Sequence, residues 1–219
     1  MNKITFDGDG VILVGNLFLP EGVDRAPGVV VAGTWTSVKE LMADNAAHDP
    51  RVKSLALVAP WLHDATICEQ AYGGAEAVAE RIKIGREARS RYDETDEVDY
   101  VPVVSATDES AAMPYDIDFY LNPARGGIPA WPNRFAVMAW PDWLTYDSIA
   151  LAPQVTQPTL LVHSEDAAIP DGAHRFHAGL SGPKDIYWLQ GTQFDFYDTE
   201  PQVTVAVDTV AAHFGRTLR

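Results

Sequence analysis

The sequence predicts an α/β protein with a twisted, mostly parallel sheet. Continuous apolar segments at Gly28–Ala32 and Arg51–Pro60 are typical of strands that are buried on both faces. A segment with helical character, Thr36–His48, separates them, and a strand, a helix and a second strand form a right-handed βαβ unit. The same alternation returns after residue 158 and predicts the rest of the sheet.

The other regular elements follow from local patterns. Alternating apolar residues at Ile4–Phe6 and Val11–Leu19 flank a Gly-rich tight-turn sequence and predict an antiparallel β-hairpin. Ser37 and Glu40 match a capping box at the start of the first helix. Towards the C-terminus we predict a strand at Thr159–His163, a helix at Asp171–Ala178, a strand at Ile186–Leu189 and an amphipathic helix at Gln202–Phe214.

The middle of the chain departs from this alternation. A charged helical pattern over Ala75–Arg91 is followed by prolines, aromatic residues and acids without a regular period. A connection of this length is usually functional. We therefore predict a lid insertion at about 62–147 within a single domain of residues 1–219. Four of the six tryptophans lie in the insertion or at its edge, namely Trp61, Trp131, Trp140 and Trp143.

Composition narrows the class of protein. A length of 219 residues with a 47% hydrophobic share suits one domain with a large core. The net charge of −15 repels phosphate backbones and anionic lipid, so we expect neither nucleic acid nor a membrane as partner. We find no apolar run long enough to span a membrane and expect no secretory signal. The single cysteine, Cys68, excludes an internal disulfide framework and favours the cytoplasm.

The order of several segments resembles the α/β-hydrolase superfamily, in particular its dienelactone-hydrolase-like members. The matching segments cover almost the whole chain: VGNLFLP, GVVVAGTWTSVKE, RVKSLALVAPW, QPTLLVHSEDAAIP and LQGTQFDFYD. The resemblance implies a mostly parallel sheet with an N-terminal hairpin and a lid. It also implies ester or lactone hydrolysis by a serine or cysteine nucleophile, a histidine and an acid.

The nucleophile motif of that superfamily, G-x-S-x-G or G-x-C-x-G, is missing from the sequence. In the family, roughly 60 residues in two strand–helix units separate the strands that correspond to Gly28–Ala32 and Arg51–Pro60. Only one short helix lies between them here, so we predict an internal deletion near Glu40–Leu41. We expect the flanking strands to pair directly, and a homodimer to cover the apolar surface that the deletion exposes.

Three candidate site residues come from the resemblance. Asp166 matches the position of the catalytic acid and Glu165 is the alternative, although an acidic turn that caps the next helix explains both residues. Gln193 stands where the family has its histidine, and an amide cannot accept a proton near neutral pH. The backbone N–H of Trp35 lies in the loop that corresponds to the oxyanion hole, which is otherwise an ordinary strand-to-helix loop.

Further candidates come from the residues themselves. Trp61 and His63 follow the carboxyl end of a predicted strand, where open α/β sheets place ligands. His63 beside Asp64 offers an acid/base pair, although neighbours in sequence need not face each other. Arg134 in the insertion offers a fork of donors to a carboxylate, and a structural role explains it as well.

Three functional hypotheses follow. The first is an ester or lactone hydrolase that uses a non-standard nucleophile or an activated water, with Asp166 or His63 as base. The second is a catalytically inactive relative that binds an apolar or aromatic small molecule under the lid. The third is a deletion product without a selected activity. The sequence contains no dinucleotide-binding, P-loop or metal-ligand motif, so we expect no cofactor and no metal.

Overall fold

The computed structural model describes residues 2–8, 11–19, 22, 26–31 and 47–218. These residues fall into two compact units, one within 1–31 and the other within 32–218. The first unit contains strands β1 (Asn2–Gly8) and β2 (Val11–Leu17), which pair antiparallel with Thr5 opposite Val14. The structure therefore confirms the N-terminal hairpin.

The second unit alternates strands and helices. Its strands are β3 (Leu55–Val58), β4 (Tyr100–Val101), β5 (Phe135–Ala136), β6 (Thr159–Ser164) and β7 (Lys184–Leu189). Its helices are α1 (Ala65–Tyr72), α2 (Ala75–Thr95), α3 (Asp118–Leu121), α4 (Trp140–Thr145), α5 (Pro170–Gly179), α6 (Asp195–Asp198) and α7 (Gln202–Thr217). Short 3-10 helices occupy Val137–Ala139 and Ala152–Gln154.

A parallel sheet in the order β3-β6-β7 forms the centre of this unit. All residues of β6 are buried, as expected for a parallel strand that is covered on both faces. Phe176 of α5 packs with Leu161 on one face of the sheet. Ala206 of α7 packs with Val162 on the other face. The predicted fold class is confirmed.

The prediction of a buried strand at Gly28–Ala32 is wrong for its described residues, 28–31. They have no regular secondary structure, and the side chains of Val29, Val30 and Val31 are 52%, 78% and 87% exposed. A strand is stable only where a neighbour bonds its backbone groups, and no strand in the described part of the chain pairs with these residues. The expected direct pairing of this segment with β3 stays a prediction, because residues 28–31 and β3 belong to different compact units.

Residues 62–147 form a layer of helices and short strands with its own apolar core. Ala88 of α2 packs in this core with Trp140 and Leu144 of α4. The two helices approach closely at Gly85, where an added Cβ would lie 2.5 Å from Cδ of Pro141. This layer covers the residues of the predicted insertion, which we call the insertion below; both its origin as an insertion and its role as a lid stay predictions. None of the described helices is long and apolar enough to cross a membrane.

Candidate functional site

A cavity of about 350 Å³ lies at the carboxyl edge of the parallel sheet. Trp61 follows β3, residues 166–168 follow β6, and residues 192–194 follow β7, so all three strands contribute to its wall. Ligands of open α/β sheets bind at this edge because the connecting loops converge there. The insertion supplies the facing wall with Met113, Tyr115, Ile117 and Tyr120.

The two walls are joined by aromatic and ionic contacts. The rings of Phe119 and Phe194 stack with centroids 5.7 Å apart, and Tyr120 meets Phe194 edge-on at 5.8 Å. Arg125 donates two hydrogen bonds to Asp198, with Nη2–Oδ1 at 2.7 Å and Nε–Oδ2 at 2.8 Å. These bonds lower the pKa of the Asp198 carboxyl. The insertion is therefore fixed to α6 beside the cavity.

Gln193 holds together the loops that follow the three strands. Its Nε2 donates to the carbonyl oxygen of Ala59 at 2.8 Å and to the hydroxyl of Tyr197 at 2.9 Å. Its Oε1 accepts from the backbone N–H of Ala168 at 3.2 Å. Ala59 adopts a left-handed backbone conformation, with φ of 40°, which costs about 1 kcal/mol for a residue with a Cβ. Gln193 thus fixes the strained turn at Ala59, which precedes Trp61 of the cavity wall.

Asp166 lies at the cavity, as predicted, and its side chain is exposed. Its backbone N–H donates to the hydroxyl of Ser164 at 3.1 Å. The alternative acid, Glu165, faces away and contacts Nε2 of His174 at 3.0 Å through Oε1. Asp166 is therefore the acid that the structure brings to the site.

His63 and Asp64 do not form a pair. Nε2 of the buried His63 donates to the carbonyl oxygen of Trp143 at 2.9 Å, and its ring packs on that tryptophan. Asp64 caps α1 by accepting from the N–H of Ile67 at 2.9 Å, and its other oxygen binds Arg175. Burial lowers the pKa of the His63 imidazole, which therefore stays neutral at pH 7. His63 is absent from the described cavity lining.

The remaining predicted residues divide between the cavity and other places. Trp61 lines the cavity, with its ring 6.2 Å from that of Trp143. Arg134 is exposed and lies over the ring of Tyr100, 3.9 Å from its centroid, outside the described lining. Trp35 and the predicted deletion near Glu40–Leu41 lie outside the described residues. The structure thus brings together Trp61, Asp166 and Gln193.

Solved structures share this architecture. PA2218, a hypothetical protein from Pseudomonas aeruginosa, matches 82% of this chain at a TM-score of 0.66 and 18% identity. The α/β hydrolase GrgF from Penicillium sp. sh18 matches 82% at 0.63 and 21% identity. A monoacylglycerol lipase from Paleococcus ferrophilus matches 80% at 0.56 and 17% identity. The chain has the α/β-hydrolase fold.

The match covers 58% of PA2218, 60% of GrgF and 64% of the lipase, so this chain spans about 60% of the length of these α/β-hydrolase-fold proteins. At identities of 17–21% the likeness shows the fold alone. No protein-family model and no curated protein matches the sequence.

Hydrolysis on this fold needs a nucleophile and a base at the carboxyl edge. No serine, cysteine or histidine is found among the described residues that line the cavity. Cys68 is buried in the insertion, where burial raises the pKa of its thiol to about 12. Ser54 Oγ lies 2.8 Å from Nε2 of His213, but Ser54 precedes β3, so this contact lies at the opposite edge of the sheet.

Within the described residues, we find no group of three or more histidine, cysteine, aspartate or glutamate side chains that could hold a metal ion.

The insertion wall is the part of the site that sequence reasoning missed. Met113, Tyr115 and Ile117 alternate along the chain and all line the cavity. This period of two was the available signal, because alternate residues of an extended segment point to one side.

Proposed function

We propose that this chain binds an apolar or aromatic small molecule in the cavity and does not hydrolyse it. This proposal rests on the position and the hydrogen bonds of Gln193. The sequence resemblance implies a histidine at this position, whereas the Gln193 amide makes three hydrogen bonds that join the loops beside the cavity. The cavity beside it is lined mainly by aromatic and aliphatic side chains, and only one of the described residues that line it, Asp166, carries a charge.

An ester or lactone hydrolase is the second candidate. It is favoured by the position of Asp166, whose carboxylate lies at the cavity and has no ion pair with a described residue. In this hypothesis the carboxylate activates a water molecule, because the described lining offers no serine, cysteine or histidine. The two candidate functions differ in catalytic turnover, because only the hydrolase requires that the bound ester or lactone is hydrolysed.

Binding is tested with N-phenyl-1-naphthylamine, a neutral apolar probe that fluoresces in apolar surroundings. We expect saturable binding at one site, with a dissociation constant on the order of 10 μM for a ligand of this size. Ala168→Trp should weaken binding at least about tenfold, because Ala168 lines the cavity and the larger ring fills it.

The matched control is Ala106→Trp, at an exposed residue outside the described lining. It should leave the affinity within about twofold, as for a surface change. Both variants must unfold cooperatively before they are compared. Equal affinity in the wild type and Ala168→Trp would contradict binding in this cavity. Absence of saturable binding would favour the hypothesis of a chain without selected activity.

We also propose a homodimer. Three consecutive β-branched apolar side chains, Val29, Val30 and Val31, are more than half exposed. Contiguous exposed apolar side chains mark sites of protein–protein association, which supports this proposal. We expect a dimer at micromolar concentration in sedimentation velocity, and a monomer for Val30→Lys. Val207→Lys, at an exposed position of α7, should leave the dimer intact. A monomeric wild type would rule out the homodimer.

Two further proposals concern the whole chain. The internal deletion near Glu40–Leu41 is supported by the 60% of the length of GrgF that this chain spans. A cytoplasmic location is supported by Cys68, the single cysteine, which is buried as a free thiol.

A further inference from the structure

A second chamber of about 240 Å³ adjoins the cavity. The two spaces share Trp61, Met113 and Tyr115 as walls. Tyr72 at the end of α1 and Arg81 in α2 line the chamber and are not among the described residues of the larger cavity. Tyr72 and Arg81 therefore lie in a space that borders on the cavity at these three side chains.

Arg81 presents unused donors to the chamber. Its guanidinium lies over the rings of Tyr72 and Trp140, at 5.3 and 5.8 Å from their centroids. Its Nη1 donates to the carbonyl oxygens of Tyr72 at 3.3 Å and Ala77 at 3.2 Å. No described residue accepts a hydrogen bond from Nε or Nη2. Three N–H groups of a half-buried cation are thus available to a ligand.

Arg81 differs in this respect from most arginines of the structure. Carboxylates pair with Arg51, Arg89, Arg91, Arg125, Arg175 and Arg216. Within the described part of the chain no carboxylate pairs with Arg81, and none lines the chamber. Arg86 and Arg134 also have no ion pair with a described residue, but both are exposed to water. Among the arginines of the described ranges, Arg81 is therefore the one that has no ion pair with a described residue and lines an internal space.

Tyr72 adds a second donor. Its hydroxyl oxygen accepts a hydrogen bond from Nε1 of Trp143 at 3.1 Å, which leaves the hydroxyl proton to donate elsewhere. Burial raises the pKa of this hydroxyl, so Tyr72 keeps its proton at neutral pH. The chamber thus combines O–H and N–H donors with a positive charge, which is the complement of an anionic oxygen group.

We propose that the chamber binds the carboxylate of the ligand, so that the ligand of the larger cavity is an apolar monocarboxylate such as an arylalkanoate. This inference rests on the proposed binding function and names its ligand class. A planar carboxylate matches the fork of Arg81, and the apolar body contacts the shared wall of Trp61, Met113 and Tyr115. In a chain of net charge −15, this local cation offsets the general repulsion of an anion.

The test compares two ligands of one shape, 1-naphthylacetate and 1-naphthylacetamide, by isothermal titration calorimetry at pH 7.4. We expect the wild type to bind the carboxylate at least about tenfold more tightly, as for a hydrogen bond to a charged group. Arg81→Gln should weaken binding of the carboxylate about tenfold and leave the amide within about twofold. Arg86→Gln, at an exposed position of the same helix, should change neither affinity.

The outcomes separate this inference from the proposed function. Equal affinity of the wild type for carboxylate and amide would overturn the inference, and so would an equal loss in Arg86→Gln. The wild-type comparison decides even if Arg81→Gln does not fold. If neutral N-phenyl-1-naphthylamine binds while the carboxylate has no advantage, only the ligand class is wrong. If none of the three compounds binds, the proposed function fails as well.

Discussion

Gly172→Ala should lower the free energy of unfolding by about 3 kcal/mol or more, as for severe overpacking. An added Cβ at this position of α5 would lie 1.9 Å from the carbonyl oxygen of Leu62 and 3.0 Å from its carbonyl carbon. Both atoms belong to the backbone, so no side-chain rotation relieves the overlap. The helix and the loop after β3 must therefore separate, which also displaces Trp61 from the cavity.

The measurement is urea-induced unfolding followed by tryptophan fluorescence. Gly215→Ala in α7 is the matched control, because a Cβ there meets no atom of the described residues within 4 Å. This substitution should raise stability by about 0.4–1 kcal/mol through the lower entropy of the unfolded chain. If Gly172→Ala unfolds at the same urea concentration as the wild type, the close approach of α5 to Leu62 is wrong.

Gln193→Leu should lower stability by about 3 kcal/mol and weaken binding of the naphthylamine probe. Leucine is close to glutamine in size but offers no donor or acceptor. The carbonyl of Ala59, the N–H of Ala168 and the hydroxyl of Tyr197 then each lose a partner. A buried group without a partner costs about 1–3 kcal/mol, and the turn at Ala59 loses the bond that holds it.

Gln154→Leu, at an exposed position, is the control and should change stability by no more than about 0.5 kcal/mol. Gln193→His adds a second test, because it introduces the histidine that the sequence resemblance implies at this position. It should produce no ester hydrolysis, since the described lining still contains no serine or cysteine. A Gln193→Leu variant with the stability and the probe affinity of the wild type would contradict the role of Gln193 in holding the loops beside the cavity.

The central sheet could be predicted because its signals are local. The continuous apolar run of β6 and the helical period of α7 lie within single segments. The error at Gly28–Ala32 has the opposite cause. An apolar run indicates a buried strand only where a neighbouring strand is present to bond it, and the run does not contain that information.

Only the part of the site that depends on the order of segments along the chain could be predicted. Asp166 and Gln193 follow strands, so the order of segments placed them at the carboxyl edge. The insertion wall depends on contacts between distant segments, such as Phe119 with Phe194, and no local pattern specifies them. The orientation of His63 towards Trp143 and of Asp64 towards Arg175 is also set by tertiary packing, which explains why their adjacency was misleading.

Our central claim is that the cavity binds a ligand without hydrolysing it. Hydrolysis of 4-nitrophenyl acetate by the wild type and by Asp166→Asn tests this claim most directly. Both proteins should first be shown to bind N-phenyl-1-naphthylamine, so that the cavity is known to be formed. Our account predicts that neither protein exceeds the rate in buffer, because the described cavity residues include no serine, cysteine or histidine. Turnover by the wild type that Asp166→Asn abolishes would contradict this account and establish a hydrolase that uses the Asp166 carboxylate.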